Sequence, residues 1–200
     1  MGRRSDHSRE ELHELIVGEG HRHISEVGFA RFSAREVAKQ AGYSIGTIYN
    51  VFGSYDQLML AINGRTLDLW LQFLEERLAQ AQDDRLRHAI AAYFEFAMMH
   101  RHAWAALYDF RLPEGAVMPV FYQEKVTRIT EVVVREIAAA LPDAFKAEAP
   151  ALARSLLATV HGHCFFTLTG TFRLMGGVDP LAAALDRVQD ALAAYQRKEA

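Results

Sequence analysis

The sequence predicts an all-α protein, with an N-terminal unit of three helices and a larger helical part behind it. Three observations lead there. Apolar residues recur at three- and four-residue spacing along nearly the whole chain, and strand-like alternation is almost absent. Four serines, Ser8, Ser33, Ser44 and Ser54, each stand where a helix would start. All five prolines, at 113, 119, 142, 150 and 180, follow residue 112 and mark breaks between longer helices.

Segment 8–27 carries Leu12, Leu15, Ile16, Ile24 and Val27 on one stripe, and Gly28 is its natural stop. Ser8-Arg9-Glu10-Glu11 reads as a capping box, in which serine and glutamate each satisfy an orphan N–H. Ser33-Ala34-Arg35-Glu36 is a second box, with Phe32 and Val37 as its apolar staple. Ser44 caps a further helix, with Tyr43 and Ile48 as staple, and Ser54-Tyr55-Asp56-Gln57 is a third box. Segment 55–80 then places Leu67, Trp70, Leu71, Leu74 and Leu78 on one face. Segments 84–101, 117–141, 150–175 and 178–197 continue the pattern. Segment 150–175 is apolar on more than one face, as in a helix covered from two sides.

Composition excludes several classes. Half of the 200 residues are hydrophobic and about a quarter are charged, so the chain is not a disordered one. No run approaches the length of uncharged apolar residues that a membrane span needs. The opening Met1-Gly2-Arg3-Arg4-Ser5-Asp6 does not read as a secretory signal, and the single Cys164 cannot form an internal disulfide. A cytoplasmic location is expected. The net charge of −3 excludes a strongly basic coat, and residues 1–65 are charge-neutral, with eight Lys/Arg against eight Asp/Glu. Contact with nucleic acid must therefore depend on where charges sit.

The stretch Ser33 to Phe52, SAREVAKQAGYSIGTIYNVF, carries the function. Two short helices joined by a tight turn containing Gly42 form a helix-turn-helix pattern. Val37, Ala38, Ile48 and Phe52 are placed to pack the unit. In such units the second helix enters the major groove while the first crosses the phosphates. Arg35 and Lys39 share a face, Thr47 and Tyr49 can donate, Asn50 can pair with adenine, and Ile45 can meet a thymine methyl. Arg3, Arg4 and Arg9 supply a basic arm.

Residues 8–65 resemble the DNA-binding domain of the TetR family of bacterial transcriptional regulators. The resemblance rests on Gly28, Ser33-Ala34-Arg35-Glu36-Val37-Ala38, Ala41-Gly42-Tyr43-Ser44, Ile45-Gly46-Thr47-Ile48-Tyr49-Asn50-Val51-Phe52, then Tyr55 and Leu58, without a gap. It implies a DNA-binding set of Ser33, Arg35, Lys39, Ser44, Ile45, Gly46, Thr47, Tyr49, Asn50 and Tyr55. Two residues depart from the family pattern. Tyr55 stands where a phosphate-binding Lys is usual, and Val51 where a His is common. The segment Ser44–Phe52 holds no charged residue, so a shallow salt dependence is expected.

The resemblance divides the chain into a DNA-binding domain, 1–54, and a helical effector-binding and dimerisation domain, 55–200. It implies a homodimer through about 150–175 and 178–197, an unidentified small-molecule effector, and operator DNA as partner. Gly162 and Gly170, with Ala182, Ala183, Ala184 and Ala191, would permit close helix contact. Tyr93, Trp104, Tyr108, Phe121, Tyr122 and Phe166 are the aromatic candidates for the effector pocket, with Arg111, His163 and Thr167 as polar anchors. Most aromatic residues in such helices are ordinary core.

The pairs His21/His23, His100/His102 and His161/His163 are two apart, so each points to opposite sides of a helix. No metal or cofactor is expected. No phosphate loop or nucleophile elbow stands out, so an enzyme is not expected either. The alternative is a DNA-binding regulator without a small-molecule ligand, acting through protein contacts.

Overall fold

A computed structural model describes residues 7–199, so Arg3 and Arg4 of the expected arm lie outside the described residues. Every regular element among the described residues is helical. In order they are α1 (Arg9–Val27), a 3-10 turn (Phe29–Arg31), α2 (Ala34–Gln40), α3 (Ile45–Phe52), α4 (Tyr55–Gln80), α5 (Arg85–Met99), α6 (Arg101–Asp109), α7 (Val120–Ala140), a second 3-10 turn (Asp143–Glu148), α8 (Ala149–Leu168), α9 (Thr171–Leu174) and α10 (Pro180–Glu199).

All four serine caps form. Ser8 Oγ accepts from Glu11 N–H at 3.2 Å, and Ser8 N–H donates to the Glu11 carboxylate at 2.7 Å, a complete box. Ser33, Ser44 and Ser54 accept from the N–H groups of Glu36, Thr47 and Gln57 at 3.4, 3.2 and 3.1 Å. The box at Ser33 is only half made. The Glu36 carboxylate sits 3.8 Å from Lys39 on its own helix and does not reach back.

Two expectations need correction. Helix α8 stops at Leu168, not near 175, because Gly170 takes a left-handed backbone (φ 75°) that a helix cannot continue. Segment 84–101 ends at Met99, and a separate helix, α6, follows. The chain bends at His100 (φ −115°, ψ 34°) without a glycine or proline to announce it.

The helices form two compact units. One comprises the chain up to Leu69 with His100–Lys125; the other comprises Trp70–Met99 with Val126–Ala200. Helix α4 therefore serves both. The core of the first unit joins Ile16 and Ile24 of α1, Val37 and Ala38 of α2, Ile48 of α3, Leu58, Met59 and Ile62 of α4, and Ala103 and Ala106 of α6. The hydrophobic effect on these faces holds the short helices α2 and α3, which would not persist alone. Gly20 of α1 meets Ile62 of α4, where an added Cβ would lie 2.5 Å from the isoleucine Cδ1.

Helix α6 is tied into the same unit. His102 Nδ1–H donates to the Ser25 carbonyl at 2.9 Å, and Asn63 Nδ2 donates to the Ala106 carbonyl at 3.2 Å. Phe110 meets Phe29 edge-on, with ring centroids 6.1 Å apart. In the second unit α8 packs on α5 and α10, and α5 also contacts α10. Trp70, Tyr93 and Phe96 pack ring to ring at its centre, 5.5 and 5.4 Å from the indole. No described helix is long and apolar enough to cross a membrane.

Candidate nucleic-acid interface and cavity

Helix α3 has two faces of opposite character. Ile48 is fully buried, whereas Tyr49 is 44 % exposed and Gly46 and Asn50 are exposed beside it. Burying Ile48 fixes the helix's rotation, and that rotation turns the other side outward. The turn before it depends on Gly42, whose φ of 80° suits a residue without a Cβ. Tyr43 in that turn lies 2.9 Å from His7 Nδ1 through its hydroxyl.

Arg35 and Lys39 are exposed on α2, and Arg9 is exposed in the first turn of α1. Ser44 Oγ and Thr47 Oγ1 are 3.0 Å apart, so one hydroxyl donates to the other and one proton stays available to a phosphate oxygen. Ser33 and Tyr55 are half-buried. Tyr55 rests near Phe32, ring centroids 6.2 Å apart, and burial pushes its phenol pKa up. It remains a protonated donor, able to bond a phosphate but not to attract one as an ammonium does.

The second unit contains an apolar cavity of about 60 Å³. Its wall includes Trp70, Tyr93, Ile129, Val132, Leu156 and Val160, from α4, α5, α7 and α8. One carboxylate joins that wall. Glu136, 5 % exposed, accepts from Arg85 Nε at 2.8 Å and from its terminal nitrogen at 2.9 Å. The guanidinium holds the Glu136 carboxyl below the usual carboxylate range, against the desolvation that opposes ionisation. Tyr93 Oη lies 2.8 Å from His161 Nδ1, and burial lowers the His161 pKa.

Residues 16–62 match the family model described as bacterial regulatory proteins, tetR family. Residues 86–192, more than half of the chain, match the model of the tetracyclin repressor-like C-terminal domain. The chain belongs to the TetR family. It is a DNA-binding transcriptional regulator. Solved structures agree in fold. A protein of unknown function from Rhodococcus sp. RHA1 is 20% identical over 96% of this chain and 97% of that one, with a TM-score of 0.72. The multidrug binding protein EbrR complexed with imidazole is 20% identical over 92% and 95%, with a TM-score of 0.62. A tetR-family regulator from Streptomyces coelicolor is 20% identical over 92% and 81%, with a TM-score of 0.63. No curated protein matches the chain by sequence.

In this TetR-family chain the expected DNA-facing residues converge on one region of the first unit. The expected effector residues are divided between the two compact units. Tyr93 lines the cavity. Trp104, Tyr108, Arg111, Phe121 and Tyr122 belong to the other compact unit, where Trp104 and Tyr122 are buried. There Tyr122's phenol is pushed up to about 12 by burial and by Tyr108. On α8, His163 Nδ1–H donates to the Thr159 carbonyl, and Thr167 Oγ1 to the His163 carbonyl, both at 2.8 Å. These bonds turn both side chains back onto their own helix. Phe166 is partly exposed and packs on Phe172, ring centroids 5.6 Å apart. Sequence reasoning passed over Glu136. Its signal was available: it falls in register with Ile129 and Val133, a carboxylate inside an apolar stripe.

Proposed function

We propose that this regulator is a repressor that binds a palindromic operator as a homodimer and is released by a small-molecule effector. The observation that carries the reading is α3, with Ile48 buried beneath an uncharged, exposed face of Gly46, Tyr49 and Asn50. Ser33, Arg35, Lys39, Ser44 and Tyr55 position the backbone, and Ile45, Thr47, Tyr49 and Asn50 read bases. The homodimer forms through α8 and α10. Exposed Phe165 and Ala158, and the open space over Gly162, leave α8 a surface for a second copy. A two-fold axis then sets two α3 helices about 34–36 Å apart, one turn of DNA. Such a regulator acts by binding, not by catalysis, in the cytoplasm where its operator lies.

The effector enters the cavity of the second unit, with Tyr93 and Glu136 as its polar groups. At about 60 Å³ that cavity is smaller than the roughly 300 Å³ at which ligand pockets begin. The effector must therefore prefer a wider state of the cavity, and that differential affinity is what shifts the regulator off DNA. The same small volume favours a second reading, in which the protein acts through protein contacts with no small molecule.

Selection of bound DNA from a random pool tests the first reading. An inverted repeat with half-sites one helical turn apart is expected; no enrichment by folded protein overturns it. The double variant Thr47→Ala/Tyr49→Ala is expected to lose the selected operator with an unchanged urea midpoint. Intact binding by that variant would remove α3 as the reader.

A further inference from the structure

A second cleft, of about 350 Å³, lies wholly within the first compact unit. Three helices each give it one stripe: His13, Glu14 and Val17 from α1, Ala61, Arg65 and Asp68 from α4, and Phe121 and Lys125 from the start of α7. The spacings of three and four residues put each set on a single helix face. Val17, Ala61 and the Phe121 ring supply apolar wall. The size falls within the range of small-molecule sites.

The lining carries two cations, Arg65 and Lys125, and two carboxylates, Glu14 and Asp68. Lys125 Nζ lies 2.5 Å from the Asp68 carboxylate. Its stem crosses α4 at Gly64, where a Cβ would meet the lysine carbons at 3.3 Å. His13 Nδ1 lies 3.2 Å from Glu14. Arg65 is exposed, and among the described residues it has no hydrogen-bond or ion-pair partner. The titratable group beside it is His21, which burial and Arg65's own charge hold neutral near pH 7. The cleft thus presents, within a charge-balanced lining, one guanidinium with no contact partner next to an exposed aromatic ring. A guanidinium offers parallel N–H donors that match a carboxylate.

We propose that this cleft binds a small organic monocarboxylate, its carboxylate on Arg65 and its apolar body against Phe121, Val17 and Ala61. The occupant would lie beside the DNA-reading helix, because the His13 ring in its wall stacks on Phe52, the last residue of α3, at 4.7 Å between centroids. The site is separate from the cavity in the second unit and needs no occupant there.

The test is titration of the intact protein with sodium benzoate, followed by amide and arginine side-chain NMR shifts, with benzyl alcohol as the uncharged control. Saturable shifts at Val17, Ala61, Arg65 and Phe121 are expected, with weaker response to benzyl alcohol. Arg65→Gln is expected to weaken benzoate about tenfold or more, as loss of one charge-assisted contact does. Phe121→Ser, which leaves the charge in place, should weaken both probes. Absence of saturable shifts overturns the proposal. So does equal response to benzoate and benzyl alcohol, unchanged affinity in folded Arg65→Gln, or shifts confined to cavity residues such as Leu156 and Val160. No DNA enters the measurement, so its failure is distinct from failure of the repressor reading.

Discussion

His21 shows how one half-buried side chain sets a pH response. Burial, with Arg65 and His100 nearby, lowers its pKa from 6.5 to about 4, and its Nε2 has no partner. The unfolded chain therefore takes up the proton first as pH falls. The contribution is complete above about 6.5 and is lost progressively down to about 4. After allowance for partial exposure this amounts to roughly 2 kcal/mol. Urea unfolding at pH 7 and pH 5 is expected to show a smaller loss in His21→Leu than in the parent chain. The Arg85–Glu136 pair behaves alike in direction for a different reason. Its carboxyl is held low chiefly by the Arg85 hydrogen bonds, so its stabilisation is present above the carboxylate range and fades as pH falls through the depressed value. Arg85→Ala should lower the urea midpoint at pH 7, and the gap to the parent should close in acid. Arg85→Met/Glu136→Leu should recover most of the loss, because no buried charge is then left unpaired. Neither arrangement was legible in the sequence. A lone Glu in an apolar stripe says that something compensates it, but the compensating residue, here 51 positions away, depends on how helices pack, as does the burial of His21.

At the scale of the element, two glycines of α1 carry opposite predictions. A Cβ added at Gly18 would meet nothing within 4 Å, so Gly18→Ala should stabilise the fold by about 0.5–1 kcal/mol through helix propensity. Gly20 faces buried Ile62 at 2.5 and 2.9 Å, and Gly20→Ala should cost about 1 kcal/mol or more despite the same propensity gain. Thermal unfolding of the two variants side by side checks both signs. The helix starts were the most legible features, since a serine cap is a local bond between neighbours three residues apart. The α5–α6 break was not, because the kink at His100 follows from Ala103 and Ala106 joining the first unit's core, a distant demand. The end of α8 was marked by Gly170, but the apolar residues beyond it kept helical spacing and hid the stop.

For the whole molecule, the paucity of cations at the proposed reading face sets how operator binding should respond to salt. Arg35 and Lys39 from each protomer of the proposed dimer give four phosphate contacts, and thus a slope of about −4 in log affinity against log salt. Lys39→Ala should weaken binding evenly across operator sequences and flatten that slope by about two, measured by anisotropy at several ionic strengths. The helix-turn-helix unit that carries the proposed DNA-reading face was legible because it comes from one unbroken stretch, Ser33 to Tyr55. The cavity was not, since its wall draws on residues from Trp70 to Val188, and aromatic content alone does not say which rings line a space. The same contrast bears on modularity. Ala103 and Ala106 close the core beneath α3, and His102 and Phe110 fasten α6 to the end of α1. A reading head lifted out at a single junction would leave that core with an open wall. Grafting this chain's operator preference onto a relative therefore calls for two transplanted pieces, and a chimera carrying only the first should fold poorly however well its junction is chosen.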